Sequence, residues 1–115
     1  MARKASDAVT LQRIANSQGI VHIRIGDYPA ALADLEEALA SLARDPDPAL
    51  EASLLLNTGG VYQRMGDHER AMEYCKRSLA LGRALADERH VASTLTFLGD
   101  TAIALERLEI GRAHV

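Results

Sequence analysis

The chain has no tryptophan, one phenylalanine and a single cysteine, Cys75, in 115 residues. One thiol cannot form an internal disulfide, so this is not a disulfide-stapled scaffold, and a reducing compartment, the cytoplasm, is the simpler expectation. No apolar run approaches the roughly 20 residues that a membrane-spanning helix needs, and Met1-Ala2-Arg3-Lys4 does not lead into a secretion segment. A net charge of -3 and a pI near 5.8 give no global basic field, so direct binding of nucleic acid is not expected. Only two lysines occur, Lys4 and Lys76; with the bias toward alanine, leucine and arginine this points to a GC-rich bacterial source. The 48% hydrophobic content resides almost wholly in small and aliphatic side chains, a composition suited to helices packed side by side.

What the chain does have is a period of 40 residues. Asp7, Asp47 and Asp87 share one register, as do Gly19, Gly59 and Gly99. The same offset relates Val21 to Val61, Arg24 to Arg64, Gly26-Asp27 to Gly66-Asp67, Ala31 to Ala71, and Leu39-Ala40 to Leu79-Ala80. Self-similarity of this kind marks a helical repeat array, an architecture used far more for holding partners than for catalysis.

Each shared residue has a local physical role. The three aspartates stand just before alanine- and leucine-rich stretches, where a short carboxylate accepts hydrogen bonds from the first free amides of a helix. Pro48 after Asp47 fits the first helical position, where no intrahelical amide bond is lost. In Gly26-Asp27 and Gly66-Asp67 the glycine lets one helix end in a left-handed conformation and the aspartate caps the next, so each unit is a helical hairpin. Gly19, Gly59 and Gly99 fall inside predicted helices, where glycine costs about 1 kcal/mol relative to alanine. Close approach of a second helix, with Ala31 and Ala71 as its small residues, is the expected reason.

The run Asn57-Thr58-Gly59-Gly60-Val61-Tyr62, followed by Met65-Gly66-Asp67, Ala71 and Ser78-Leu79-Ala80, resembles the tetratricopeptide repeat family, and Gly19, Val21, Gly26-Asp27-Tyr28, Ala31, Leu35 and Ala38 repeat the pattern in the first unit. The usual repeat is about 34 residues; the spacing of 40 resembles the longer subgroup found in spindle-orientation adaptors, kinesin light chains and many bacterial regulators. The resemblance implies an all-α, right-handed α-solenoid of antiparallel hairpins, about two and a half repeats long. Repeat one spans about residues 7–46, repeat two 47–86 and a partial third 87–109. His22 stands where the second unit has Tyr62, and Gln18 stands where an aliphatic residue is usual. In the third unit Ala102 replaces the aromatic and Glu106-Arg107-Leu108 replaces the Gly-Asp-Tyr turn, so a helix is predicted over about Glu88–Leu105 with a turn after it.

The end, Ile110-Gly111-Arg112-Ala113-His114-Val115, resembles the translation of a common sequencing adapter, so residues 110–115 are expected to be a non-native tail and the natural array to continue beyond Glu109. The far side of the third-unit helix is expected to offer Leu98, Leu105 and Leu108 to solvent or to another chain, a route to self-association.

No catalytic constellation emerges. His22, His68, His90 and His114 lie on different predicted elements without metal-ligand spacing, and Asp67, Glu69 and Glu73 sit in the first turns of a helix, where the helix dipole favours negative charge. Gly59-Gly60 lacks the lysine of a phosphate loop. Neither an enzyme, a cofactor nor a metal is expected. The resemblance places function on the concave face, lined by the first helix of each hairpin. If Leu55, Gly59 and Tyr62 are buried, helical geometry turns Ser53, Asn57, Gly60 and Arg64 into the groove. The same offset gives Arg13, Ser17, Ile20 and Arg24 in the first unit, with Asn16 beside them, and Ser93, Phe97, Asp100 and Ala104 in the third. Arg24 and Arg64 suit a peptide carboxylate, and Asn57 a peptide backbone. The paired lysine and asparagine groove residues of chaperone-tail receptors are not reproduced, since Ile20 and Gly60 occupy positions where asparagine is wanted. The expected function is a cytoplasmic scaffold binding a peptide or helical segment of another protein; the alternative is the sensor or regulatory portion of a larger bacterial signalling protein or transcription regulator.

Overall fold

The computed structural model describes His22 and residues 24–113, and the fold is all-α. Among the described residues there are four helices: α1 (Tyr28–Ser41), α2 (Pro48–Arg64), α3 (His68–Ala84) and α4 (Glu88–Ala113). His22, Arg24 and Ile25 belong to a further helical segment before α1. Consecutive helices pack on one another, most extensively α2 on α3.

The predicted caps form. The amides of Ala30, Leu50, Arg70 and His90 donate to the carboxylates of Asp27, Asp47, Asp67 and Asp87 at 3.3, 3.2, 3.2 and 3.1 Å. Each contributes about 1 kcal/mol relative to an alanine cap. Asp7 lies outside the described residues. Three turns share one hydrogen-bond pattern: the amides of Asp27, Asp67 and Asp87 donate to the carbonyls of His22, Tyr62 and Gly82, five residues back. That closure needs a left-handed residue just before each aspartate. Gly26 and Gly66 supply it with φ of 81° and 86°, but in the third turn the residue is Ala86, at φ 55°. A side chain there costs about 1 kcal/mol.

α2 is buried on two sides. Leu50, Leu54 and Val61 join Ala31, Leu35 and Ala38 of α1, and Leu42 just after it, in the core, while Leu55, Gly59 and Tyr62 are buried on the side facing α3. At Gly59 the reason for glycine is direct. A Cβ there would lie 2.6 Å from the Cys75 sulfur and 3.1 Å from the Ala71 carbonyl oxygen, so α3 crosses too closely for any side chain. Ser78 adds a polar clamp: its hydroxyl donates to the Ala52 carbonyl at 2.7 Å and lies 2.7 Å from Nε2 of His90. The single hydroxyl proton goes to Ala52, so His90 Nε2 carries a proton and donates to Ser78. One side chain of α3 thus ties α2 to α4.

The third unit departs from expectation in two ways. α4 runs unbroken from Glu88 to Ala113, straight through Glu106-Arg107-Leu108, where a turn was predicted. Glutamate, arginine and leucine are good helix formers, and Glu106 occupies the position at which Gly26 and Gly66 terminate the earlier helices. The exposed apolar face also differs in detail. Leu108 is exposed as expected, but Leu98 and Leu105 are half-buried, and Leu95, Ile103 and Ile110 are the other large apolar side chains of α4 that lie open. At Gly99 a Cβ would meet nothing within 4 Å. Gly19 lies outside the described residues.

Candidate functional site

With α1 on one flank of α2 and α3 on the other, the remaining strip of α2 is left open. It forms one wall of a cleft of about 440 Å³, lined by Arg24, by Leu56, Asn57, Gly60, Gln63 and Arg64 of α2, and by Ser93 and Phe97 of α4. Phe97 reaches across from α4; a Cβ on Gly60 would lie 3.9 Å from its ring. The absence of a side chain at Gly60 therefore leaves room above the ring.

Arg24, Asn57, Gly60 and Arg64, expected in the groove, come together on this cleft, with Ser93 and Phe97 opposite. Ser53 is half-buried on α2 and Asp100 is exposed on α4, but neither lines it. Arg13, Asn16 and Ile20 lie outside the described residues. Leu56 and Gln63 were missed among the site residues. They precede Asn57 and Arg64 by one position, and the spacing 53, 56, 57, 60, 63, 64 is a full helical face rather than a single row.

Among the described residues no carboxylate lines the cleft. Arg24 and Arg64 are exposed, and no carboxylate among the described residues pairs with either. Leu56 and Phe97 are half-buried. The cleft therefore combines cationic walls with an apolar floor.

The other reactive side chains are committed elsewhere. Cys75 is fully buried under Gly59, and burial pushes its thiol up to about 12. It stays protonated at neutral pH and is a poor nucleophile. His22 Nδ1 sits 2.6 Å from the Asp34 carboxylate, while His90 holds Ser78. His68 keeps a buried Nδ1 without a hydrogen-bond partner, beside a shallow cleft of about 380 Å³ between the turn at Gly66 and the end of α4. On the opposite face of the hairpin, Tyr62 and Tyr74 stack at 5.5 Å, with Arg70 over the first ring and Arg77 over the second. Among the described residues no three histidine, cysteine or carboxylate side chains converge to hold a metal, and no helix is long and apolar enough to cross a membrane.

Hairpins with this cap-and-crossing pattern can be compared with known proteins. The profile described as tetratricopeptide repeat matches residues 7–71 and again residues 50–110. The chain belongs to the tetratricopeptide repeat family. The two matches overlap on α2 and the start of α3, and together they span residues 7–110. Over 56 residues the chain is also 39% identical to the photosystem I assembly protein Ycf3 of Acaryochloris marina, covering 49% of this chain and 32% of that relative. The chain's matched segment spans about a third of that relative's length.

Proposed function

We propose that this tetratricopeptide segment is a protein-binding scaffold that takes an extended or helical segment of a partner in the cleft between α2 and α4, without chemistry of its own. The observation that carries the reading is the pairing of two exposed arginines, Arg24 and Arg64, with an apolar floor of Leu56 and Phe97 in one opening. An acidic side chain of the partner meets the guanidinium groups, where charge-assisted bonds are the strong ones, and a neighbouring apolar side chain seats on Phe97. Asn57 lines the same opening. The sequence register adds Arg13, Asn16, Ile20, Ser53 and Asp100 to the proposed binding set. A relative whose printed name is that of an assembly protein fits binding without turnover. A buried, protonated Cys75 suits a reducing cytoplasm.

The test is a peptide-library selection on the chain, followed by titration of variants against the best binder. For an acidic binder, Arg64→Ala should weaken affinity by roughly 1 to 2 kcal/mol, about 5- to 30-fold. Asn57→Ala should cost about 1 kcal/mol for any extended peptide. Arg64→Ala should melt like the parent. Unaltered affinity in both removes the groove reading.

A further inference from the structure

Two junctions of the chain meet the same packing problem with opposite chemistry. Between α1 and α2 the apolar core includes Ala38, Leu42 and Leu50. One repeat on, between α3 and α4, the same positions hold Ser78, Gly82 and His90. The His90 ring lies over Gly82, where a Cβ would come within 2.8 Å of its Cδ2 carbon, and its Nε2 meets the Ser78 hydroxyl at 2.7 Å. Leu42 and Leu50 are almost fully buried, whereas His90 is half-buried. An apolar joint resists separation because every opening exposes leucine to water. A polar joint yields, because a hydrogen bond given up inside the protein is largely regained from water. The turn beside it sharpens the contrast: Ala86 holds, at φ 55°, the left-handed position that Gly26 and Gly66 fill in the other turns without a side chain to strain.

We propose, on the reading of the cleft as the binding site, that this polar joint makes α4 a movable wall, which closes on a bound segment by pivoting at the turn before Glu88. α2 and α4 scarcely pack on each other; each packs on α3. The width of the cleft is therefore set by how α4 sits on α3. α2 stays fixed to α3 throughout, by the close crossing at Gly59 and by the bond from Ser78 to the Ala52 carbonyl. Only the bond from His90 to Ser78 has to open. Ser93 and Phe97 stand one and two turns beyond His90 on the same side of α4, and both line the cleft. A swing of α4 carries the Phe97 ring toward or away from Leu56 and Arg64 of α2, so the joint governs how tightly the two walls hold what lies between them.

The experiment places spin labels on Glu37→Cys of α1 and Arg107→Cys of α4, both exposed positions, and reads their separation by double electron–electron resonance in the whole chain. A pair on α1 and α3, Glu37→Cys with Arg83→Cys, is the reference. In the free chain the α1–α4 distances should be broader than the reference, and they should shift and narrow with the peptide from the library selection. Combining Ser78→Ala, Gly82→Leu and His90→Leu transplants the residues of the first junction. That variant should melt above the parent, show narrow α1–α4 distances without peptide, and bind the peptide at least about 5-fold more weakly, because α4 can no longer close. His90→Gln keeps a donor toward Ser78 and should behave like the parent. Distances in the free parent as narrow as the reference and unmoved by bound peptide overturn the proposal. So does a combined variant that narrows the distances yet binds as tightly as the parent. If no peptide is selected, or if it crosslinks away from the cleft, the proposed function fails instead, and the free-chain distances of the parent still decide whether the joint moves.

Discussion

Gly59 and Gly99 hold the same register position, and the structure assigns opposite signs to the same substitution at the two. Replacing either by alanine adds one methyl group and removes the backbone freedom that makes glycine about 1 kcal/mol worse than alanine inside a helix. At Gly99 that is the whole effect, because the new Cβ meets nothing within 4 Å; Gly99→Ala should stabilise the chain by about 1 kcal/mol. At Gly59 the methyl would sit 2.6 Å from the Cys75 sulfur and 3.1 Å from a backbone carbonyl. The sulfur is fully buried and the carbonyl belongs to α3, so the helices must separate. Overpacking of this kind costs typically 1 to 3 kcal/mol. Set against the propensity gain, Gly59→Ala should lose about 1 kcal/mol net, and Gly59→Leu more, up to about 3. Urea denaturation followed by circular dichroism at low micromolar concentration reads both. With a slope of about 1 to 2 kcal/mol per molar, the midpoints should move in opposite directions by roughly 0.5 to 1 M. Adding Cys75→Ala to Gly59→Ala removes the nearer clash, so the two changes should couple favourably by about 1 kcal/mol in a double-mutant cycle. A Gly59→Ala midpoint that rises as far as that of Gly99→Ala would refute the crossing.

Two further outcomes follow from buried groups. Ser78→Ala deletes the hydroxyl that joins Ala52 and His90, leaving a part-buried ring N–H without its acceptor; the loss should be about 1 to 3 kcal/mol in thermal melts, and an unchanged melting temperature would mean the clamp is not formed. The Cys75 thiol should resist alkylation at pH 8 in the folded chain and react at once in urea. Its folded pKa, about 12 against an ordinary 9, means that the native state binds the proton more tightly than the unfolded state, so this contribution is full below pH 9 and is lost as pH rises from 9 toward 12. Cys75→Ala should flatten that part of the stability profile, and an equally steep decline would contradict the assignment.

Much of the fold was legible because local chemistry and the repeat agreed. Asp27, Asp47, Asp67 and Asp87 announce helix starts by their side chains alone, and Gly26-Asp27 and Gly66-Asp67 announce turns. The third turn closes in the same way on Ala86, where no residue type advertised a left-handed conformation; the tertiary pull of α4 onto α3 overrides the local preference. Gly82 drew no notice for a related reason. A Cβ there would lie 2.8 Å from the His90 ring, and a glycine explained by a residue on the following helix leaves no mark in its own helix. The helix through Glu106-Arg107-Leu108 was misread because the repeat was projected onto residues that favour continuing a helix. At the cleft, register placed Arg24, Asn57, Gly60 and Arg64 on one face. It did not show that Leu56 and Gln63 complete that face, since the width of an exposed strip depends on how the two neighbouring helices flank α2.

The claim that the α2–α4 cleft receives the partner is tested most directly by mapping where a selected peptide lies. A photoactivatable group on the peptide should crosslink to residues around Asn57, Arg64 and Phe97, and excess unlabelled peptide should abolish the signal. Crosslinks concentrated instead on the opposite face, around Glu36, Glu73 and Arg77, would contradict the account.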